Sequence, residues 1–264
     1  MMSRTLHLSD GQTVRVIETG AGQPLLLIHG VGMRAEAWGP QIAALAPFAR
    51  VIAVDMPGHG ESVPLPGQPG LADYVAWAAR VIRALGLGPV SVAGHSMGAL
   101  IAGGLAVEYP GLIRRAALLN GVHRRSPQAR AAVLARAAEI AAGAGGIEAP
   151  LARWFTAGEA DLRAEVAGWL RSVSAAGYAS AYRAFAEGDT VYADRLGEIR
   201  CPLLVLTGDG DANSTPAMTQ TMADMAPHGR AVVITGHRHM VNLTAPDAVT
   251  AELQRWLSTS ENAA

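Results

Sequence analysis

The 264-residue chain is half hydrophobic with a formal net charge of −1, a composition that supports a full buried core and excludes disorder. Without a basic excess, neither nucleic acid nor an anionic membrane surface is an expected partner. The single cysteine, Cys201, rules out an intrachain disulfide framework. It stands before Pro202 and the apolar run 203–206, where a small buried hydrophobe is the expected role. The start, MMSRTLHLSDG, carries no apolar h-region and the apolar runs fall short of a membrane span, so a cytoplasmic location is expected.

The first elements alternate. Leu6 and Leu8 lead into Asp10-Gly11, and Val14, Val16 and Thr19 continue the pattern, which predicts an antiparallel hairpin. After Gly20 to Pro24 the pattern changes to short continuous apolar runs: PLLLIH (24–29), VIAVD (51–55), VSVAGH (90–95), AALLNGV (116–122), PLLVLTGD (202–209) and AVVITG (231–236). Runs apolar on both faces are expected of strands covered by helices on either side. Helices are predicted between them at 36–46, 71–85, 97–108, 216–225 and 246–257, the last two with proline in the first turn. Repeated strand–helix–strand units imply a mostly parallel sheet with right-handed crossovers. From about Arg124 to Arg195 the alternation lapses into Ala- and Arg-rich helical patterns around 127–142, 148–156, 159–173 and 177–187. The expected organisation is an α/β core of residues 1–123 and 196–264, with residues 124–195 as a helical cap over one sheet edge.

Within GHSMG, Ser96 lies between Gly94 and Gly98 where a buried strand gives way to an Ala-rich helix. A turn that sharp leaves no room for side chains two positions before or after the serine, and it presents the hydroxyl above the sheet. The next helix aims its first N–H groups at the same place. A serine needs a base to become a nucleophile. Two later strands end in loops that supply candidates, Asp209 or Asp211 in TGDGD and His237 or His239 in GHRHM.

Taken together, HGVG, DMPGHGES, GHSMG, TGDGD and HMVNLTAPD resemble the α/β-hydrolase superfamily along nearly the whole chain. That resemblance implies an α/β-hydrolase fold and a triad of Ser96, Asp211 and His239, with Asp209 and His237 left to loop roles. It also implies an oxyanion hole made by the backbone N–H groups of Val31 and Met97, and structural roles for His29, His59 and His95. Some members carry the acid after the preceding core strand, but Asn120 at that place has no charge to give. Serine at the elbow separates the chain from the dehalogenases and epoxide hydrolases of this fold, which use aspartate.

In its LHGVGM-like opening (IHGVGM, 28–33), the Trp38-Gly-Pro-Gln segment, RVIAVDMPGHGES and Leu119-Asn120, the chain resembles the enol-lactonase group of bacterial aromatic catabolism. A small ester or lactone is therefore the first substrate expectation. The alternative is a C–C or amide bond in a ring-fission intermediate cleaved by the same three residues, although C–C hydrolases of this kind often carry tryptophan after the histidine and Met240 stands there. A non-catalytic ligand receptor is the reading from outside enzymology. Arg124 and Arg125, at the start of the cap, and Trp154 are the expected substrate-binding residues, the arginines through a substrate carboxylate. No metal or other cofactor is expected, since His237-x-His239 lacks a carboxylate at ligand spacing and GHSMGA lacks the lysine of a phosphate loop. The expected assembly is a monomer or homodimer acting on a small molecule.

Overall fold

Alternation within the central strands decides the layering. In the computed structural model, which describes residues 2–259, strand β3 (Pro24–Ile28) sends Leu26 and Ile28 to one side and Leu25 and Leu27 to the other. Strand β4 (Arg50–Val54) repeats the division, with Ile52 and Val54 against Val51 and Ala53. Each side is then covered. Helices α2 (Leu71–Ala84) and α3 (Met97–Glu108) pack on the first, and α1 (Gly39–Leu45) and α10 (Pro246–Leu257) on the second. Fully burying one such aliphatic side chain is worth about 1.5–3 kcal/mol, which makes these two layers the main source of stability.

The hairpin of β1 (Met2–His7) and β2 (Thr13–Thr19) pairs antiparallel, and β2 joins β4 the same way. The remaining neighbours are parallel, through β5 (Val90–His95), β6 (Ile113–Leu119), β7 (Leu203–Gly208) and β8 (Gly229–Ile234), in the spatial order β1-β2-β4-β3-β5-β6-β7-β8. The chain leaves β3 toward β4 and returns to β5 on the opposite side. The crevice between the C-terminal ends of β3 and β5 is therefore a topological switch point, where open parallel sheets bind ligands.

Two predicted elements differ. The helix expected over 36–46 divides into a 3-10 turn, Ala35–Trp38, and α1, because Pro40 in the first turn restarts the helix. The strand expected to run through Asn120 ends at Leu119, since Asn120 takes a left-handed φ of 50°.

Between β6 and β7 the chain forms helices: α4 (Pro127–Ala141), α5 (Glu148–Trp154), α6 (Ala160–Ser172) and α7 (Ala175–Gly188). Ser126 and Ser174 cap α4 and α7 by accepting the N–H groups of Ala129 and Gly177 at 3.2 and 3.3 Å. A third apolar cluster seats this segment on the sheet edge, joining Leu151, Phe155, Val166, Leu170 and Tyr178 to Met33, Met240 and Leu243. Helices α8 (Pro216–Met225) and α9 (Val241–Thr244) flank the loops after β7 and β8. Among the described residues no helix is long and apolar enough to cross a membrane. Cys201 is partly buried beside Pro202, and burial pushes its thiol up to about 11.

Candidate active site

Serine at the strand end is held in a backbone conformation that side chains avoid. Ser96 has φ 56° and ψ −114°, between β5 and the first turn of α3. Such a torsion costs on the order of 1–3 kcal/mol and persists only where the surroundings enforce it. The flanking glycines show how. A Cβ on Gly94 would lie 1.9 Å from Gly98 O, and one on Gly98 would lie 2.1 Å from Ile28 O. Any larger residue would force the elbow open.

Two loops bring partners to the hydroxyl. His239, after β8, places Nε2 3.1 Å from Ser96 Oγ, and its Nδ1–H donates to Asp211 Oδ2 at 2.7 Å. Asp211 follows β7. An ionised carboxylate only accepts, so Nδ1 carries the proton and Nε2 is left to accept from the serine hydroxyl. Burial by itself would push the Asp211 carboxyl up. The facing His239, a hydrogen bond from Asn120 Nδ2 at 2.8 Å and one from Asn213 N–H at 2.8 Å outweigh it and hold the carboxyl below its usual range. All three side chains are buried.

Asn120 is the residue that sequence reasoning passed over. Its left-handed backbone lets the amide reach Asp211 Oδ2, the oxygen that also takes the imidazole proton. Asp209 and His237 stand apart: Asp209 Oδ1 accepts Gly236 N–H at 2.8 Å, and His237 Nδ1 lies 3.0 Å from Thr244 Oγ1.

The loop after β3 comes close to the hydroxyl, since a Cβ on Gly30 would sit 3.0 Å from Ser96 Cβ. The N–H groups of Val31, in this loop, and of Met97, the residue after Ser96, find no protein acceptor among the hydrogen bonds of the described residues. The loop is pinned from behind. Fully buried Asp55 accepts Ala35 N–H at 2.7 Å and pairs with Arg15 at 3.3 Å. His29 Nε2 accepts Met56 N–H at 2.8 Å, and His59 Nε2 accepts Gly32 N–H at 2.9 Å. His95 Nε2–H donates to the carbonyl of His239 at 2.8 Å.

These three histidines give the fold a predictable response to acid. Burial lowers His29 to about 4 and His59 and His95 to about 3, from an ordinary 6.5. Above pH 6.5 the rings are neutral in both folded and unfolded chain and add no pH dependence. Below it the unfolded chain takes up protons that the folded one refuses, so stability falls by up to about 1.4 kcal/mol per pH unit per ring. Denaturant unfolding measured between pH 7.5 and 4.5 should show this decline, lessened in His59→Gln; a flat profile would contradict it.

A cavity of about 300 Å³ opens above Ser96 and His239, lined by Val31, Trp154, Tyr178, Tyr182 and Phe185 together with Arg125, Arg136 and Arg153. Of the predicted binding residues, Arg125 and Trp154 line it. Arg124 does not. Its φ of 45° and the bond from its N–H to Asp189 O turn the side chain outward, where it pairs with Asp194. Arg125 is sandwiched instead between Asp189, 3.3 Å away, and the Phe185 ring, 4.4 Å away, with buried Nη2 unpartnered. Arg136 pairs with Glu139 at 3.2 Å, and Arg153 Nη1 donates to Asn213 Oδ1 at 3.3 Å. Both escaped notice in the sequence, where an arginine on an exposed helical face looks the same as one facing a cavity. Among the described residues no group of three or more His, Cys, Asp or Glu is placed to hold a metal.

A serine-bearing elbow at the switch point of a mostly parallel sheet points to a hydrolase class, and comparison agrees: a family model described as "Alpha/beta hydrolase family" matches residues 25–253. The chain belongs to the α/β-hydrolase family. Over 262 residues, 98% of this chain and the whole of the relative, it is 52% identical to the (E)-2-((N-methylformamido)methylene)succinate hydrolase of Acinetobacter baylyi. It is 29% identical to the 2-(acetamidomethylene)succinate hydrolase of Mesorhizobium japonicum, covering 89% of this chain and 88% of that one. Among solved structures, the enol-lactonase of Burkholderia xenovorans superposes with a TM-score of 0.89 at 25% identity, covering 97% of this chain and 100% of that one. A thermophilic esterase of Thermogutta terrifontis with malate bound superposes at 0.88 and 27% identity, covering 97% and 98%.

Proposed function

We propose that this protein hydrolyses the amide bond of a small dicarboxylate, an N-acylated aminomethylene-succinate, through an acyl-enzyme on Ser96. The observation that carries the reading is the cavity: the hydroxyl and imidazole share about 300 Å³ with three arginines, against Glu139 as the one lining carboxylate. Arg125 already faces Asp189 and Arg136 faces Glu139, so Arg153 is the lining guanidinium left for a substrate carboxylate. The two hydrolases named above act, by their names, on amides of methylene-succinates, which reverses the order of expectation between ester and amide.

His239 takes the Ser96 proton as Oγ attacks the amide carbonyl, and the N–H groups of Val31 and Met97 receive the charge on its oxygen. The imidazolium then gives its proton to the departing nitrogen. In an N-acyl enamine that nitrogen shares its lone pair with an alkene conjugated to a carboxylate, so the amide is weaker than a peptide bond and the enamine departs more readily. Water, activated by the same imidazole, releases the acyl group as a carboxylic acid. An ester or lactone of similar size is the second reading, favoured by the close superposition on an enol-lactonase.

The test compares kcat/KM for an N-acyl aminomethylene-succinate, its dimethyl ester and p-nitrophenyl acetate. The free diacid should be preferred. Arg153→Gln removes a guanidinium that no carboxylate pairs with among the described residues. It should raise KM for the diacid by roughly tenfold or more, leaving p-nitrophenyl acetate little changed. Equal turnover of diacid and diester would overturn the dicarboxylate reading.

A further inference from the structure

The last turn of α5 grips the loops that carry the base and the acid. A helix ends with carbonyls that have no partner inside it. Here Arg238 Nη1 donates to Ala152 O at 3.1 Å and Phe155 O at 2.8 Å, so a cation from a distant loop satisfies the negative end of the helix. Arg238 immediately precedes the base. Its stem packs beside Gly210 of the acid loop, and its own carbonyl lies 3.4 Å from Asn120 Nδ2. In the same turn Trp154 stacks on the His239 ring, with centroids 5.6 Å apart and planes 28° from parallel.

Hydrogen bonds to Asp211 and Ser96 hold the His239 ring only within their own tolerance of distance and angle. A flat surface against the ring narrows the range of χ1 and χ2 that this tolerance leaves. His95 touches the same ring at 5.0 Å but is tilted by 57°, so Trp154 is the surface that can set the plane. The indole face also carries negative potential toward the imidazolium that forms when the serine proton moves, in company with Asp211.

We propose that Trp154 and Arg238 are positioning residues for the base: Trp154 sets the imidazole plane, and Arg238 holds Trp154 in place by capping α5. The inference rests on the serine-hydrolase reading of Ser96. It ties reactivity of the serine to the seating of the helix that encloses the substrate.

Arg238 does not line the cavity, so its replacement tests positioning apart from substrate contact. The probe is a small dialkyl fluorophosphonate, whose rate of bond formation to Ser96 reads nucleophilicity with no need of the natural substrate. Labelling of Arg238→Met should slow by roughly three- to tenfold, with kcat reduced and KM nearly unchanged. Arg238→Lys, which keeps a donor within reach of the carbonyls, should restore most of the rate. Trp154→Phe, which keeps a flat face against the imidazole, should label faster than Trp154→Ala. Arg238→Met combined with Trp154→Ala should be no slower than Trp154→Ala alone. Wild-type labelling rates in both Arg238→Met and Trp154→Ala, or rate losses that multiply in the double variant, would overturn the positioning roles. Wild-type protein that takes no label at Ser96 would overturn the serine reading and this inference with it.

Discussion

Ser96→Ala is expected to abolish the fluorophosphonate adduct and to lower turnover by roughly 10⁶-fold, the scale seen when a triad loses its nucleophile. The expectation rests on the hydroxyl being the only group at this elbow that can form the acyl bond. Its oxygen lies 3.1 Å from His239 Nε2, and no second hydroxyl, thiol or carboxylate occurs in the Gly94–Gly98 turn. Little stability should change, because alanine keeps the Cβ and adopts the same left-handed torsion at about the same cost. Intact mass after labelling, a melting curve and turnover of the preferred substrate check the three parts together. A stable Ser96→Ala protein with more than a hundredth of wild-type turnover would mean that the reaction proceeds elsewhere.

Asp211→Asn should cost roughly 10⁴-fold in kcat with the fold intact. The carboxylate accepts the Nδ1 proton of His239 at 2.7 Å. An asparagine amide in its place donates instead, which moves the imidazole proton to Nε2 and turns it against the serine hydroxyl. Asn120 adds to the problem, because its Nδ2, 2.8 Å from Asp211 Oδ2, would then face a second donor. The matching change at the neighbouring acid, Asp209→Asn, should alter kcat by only a few-fold, since Asp209 holds Gly236 N–H and nothing in the triad. Steady-state kinetics on the two variants separates the carboxylates; similar losses in both would refute the assignment.

The strands were legible because helices cover both faces of the sheet, so each wrote itself as a short unbroken apolar run, as in PLLLI of β3. The elbow was legible because its sterics demand glycine at two fixed offsets. The choice between Asp209 and Asp211, or between His237 and His239, was not open to composition or spacing. Both members of each pair sit in the right loop, and family likeness alone separated them. Asn120 was discounted for lacking charge. Its use depends on a left-handed torsion and on a partner 91 positions away, and neither leaves a mark on the neighbouring residues. Arg124 and Arg125 looked equivalent until one residue of positive φ sent them in opposite directions.

A methyl group added at residue 94 or 98 would collide with Gly98 or with Ile28. The two glycine positions of the Ser96 turn are therefore closed to larger side chains. The cavity can still be widened from the helical side: trimming Tyr182, which lines it, enlarges the room for a bulkier acyl group.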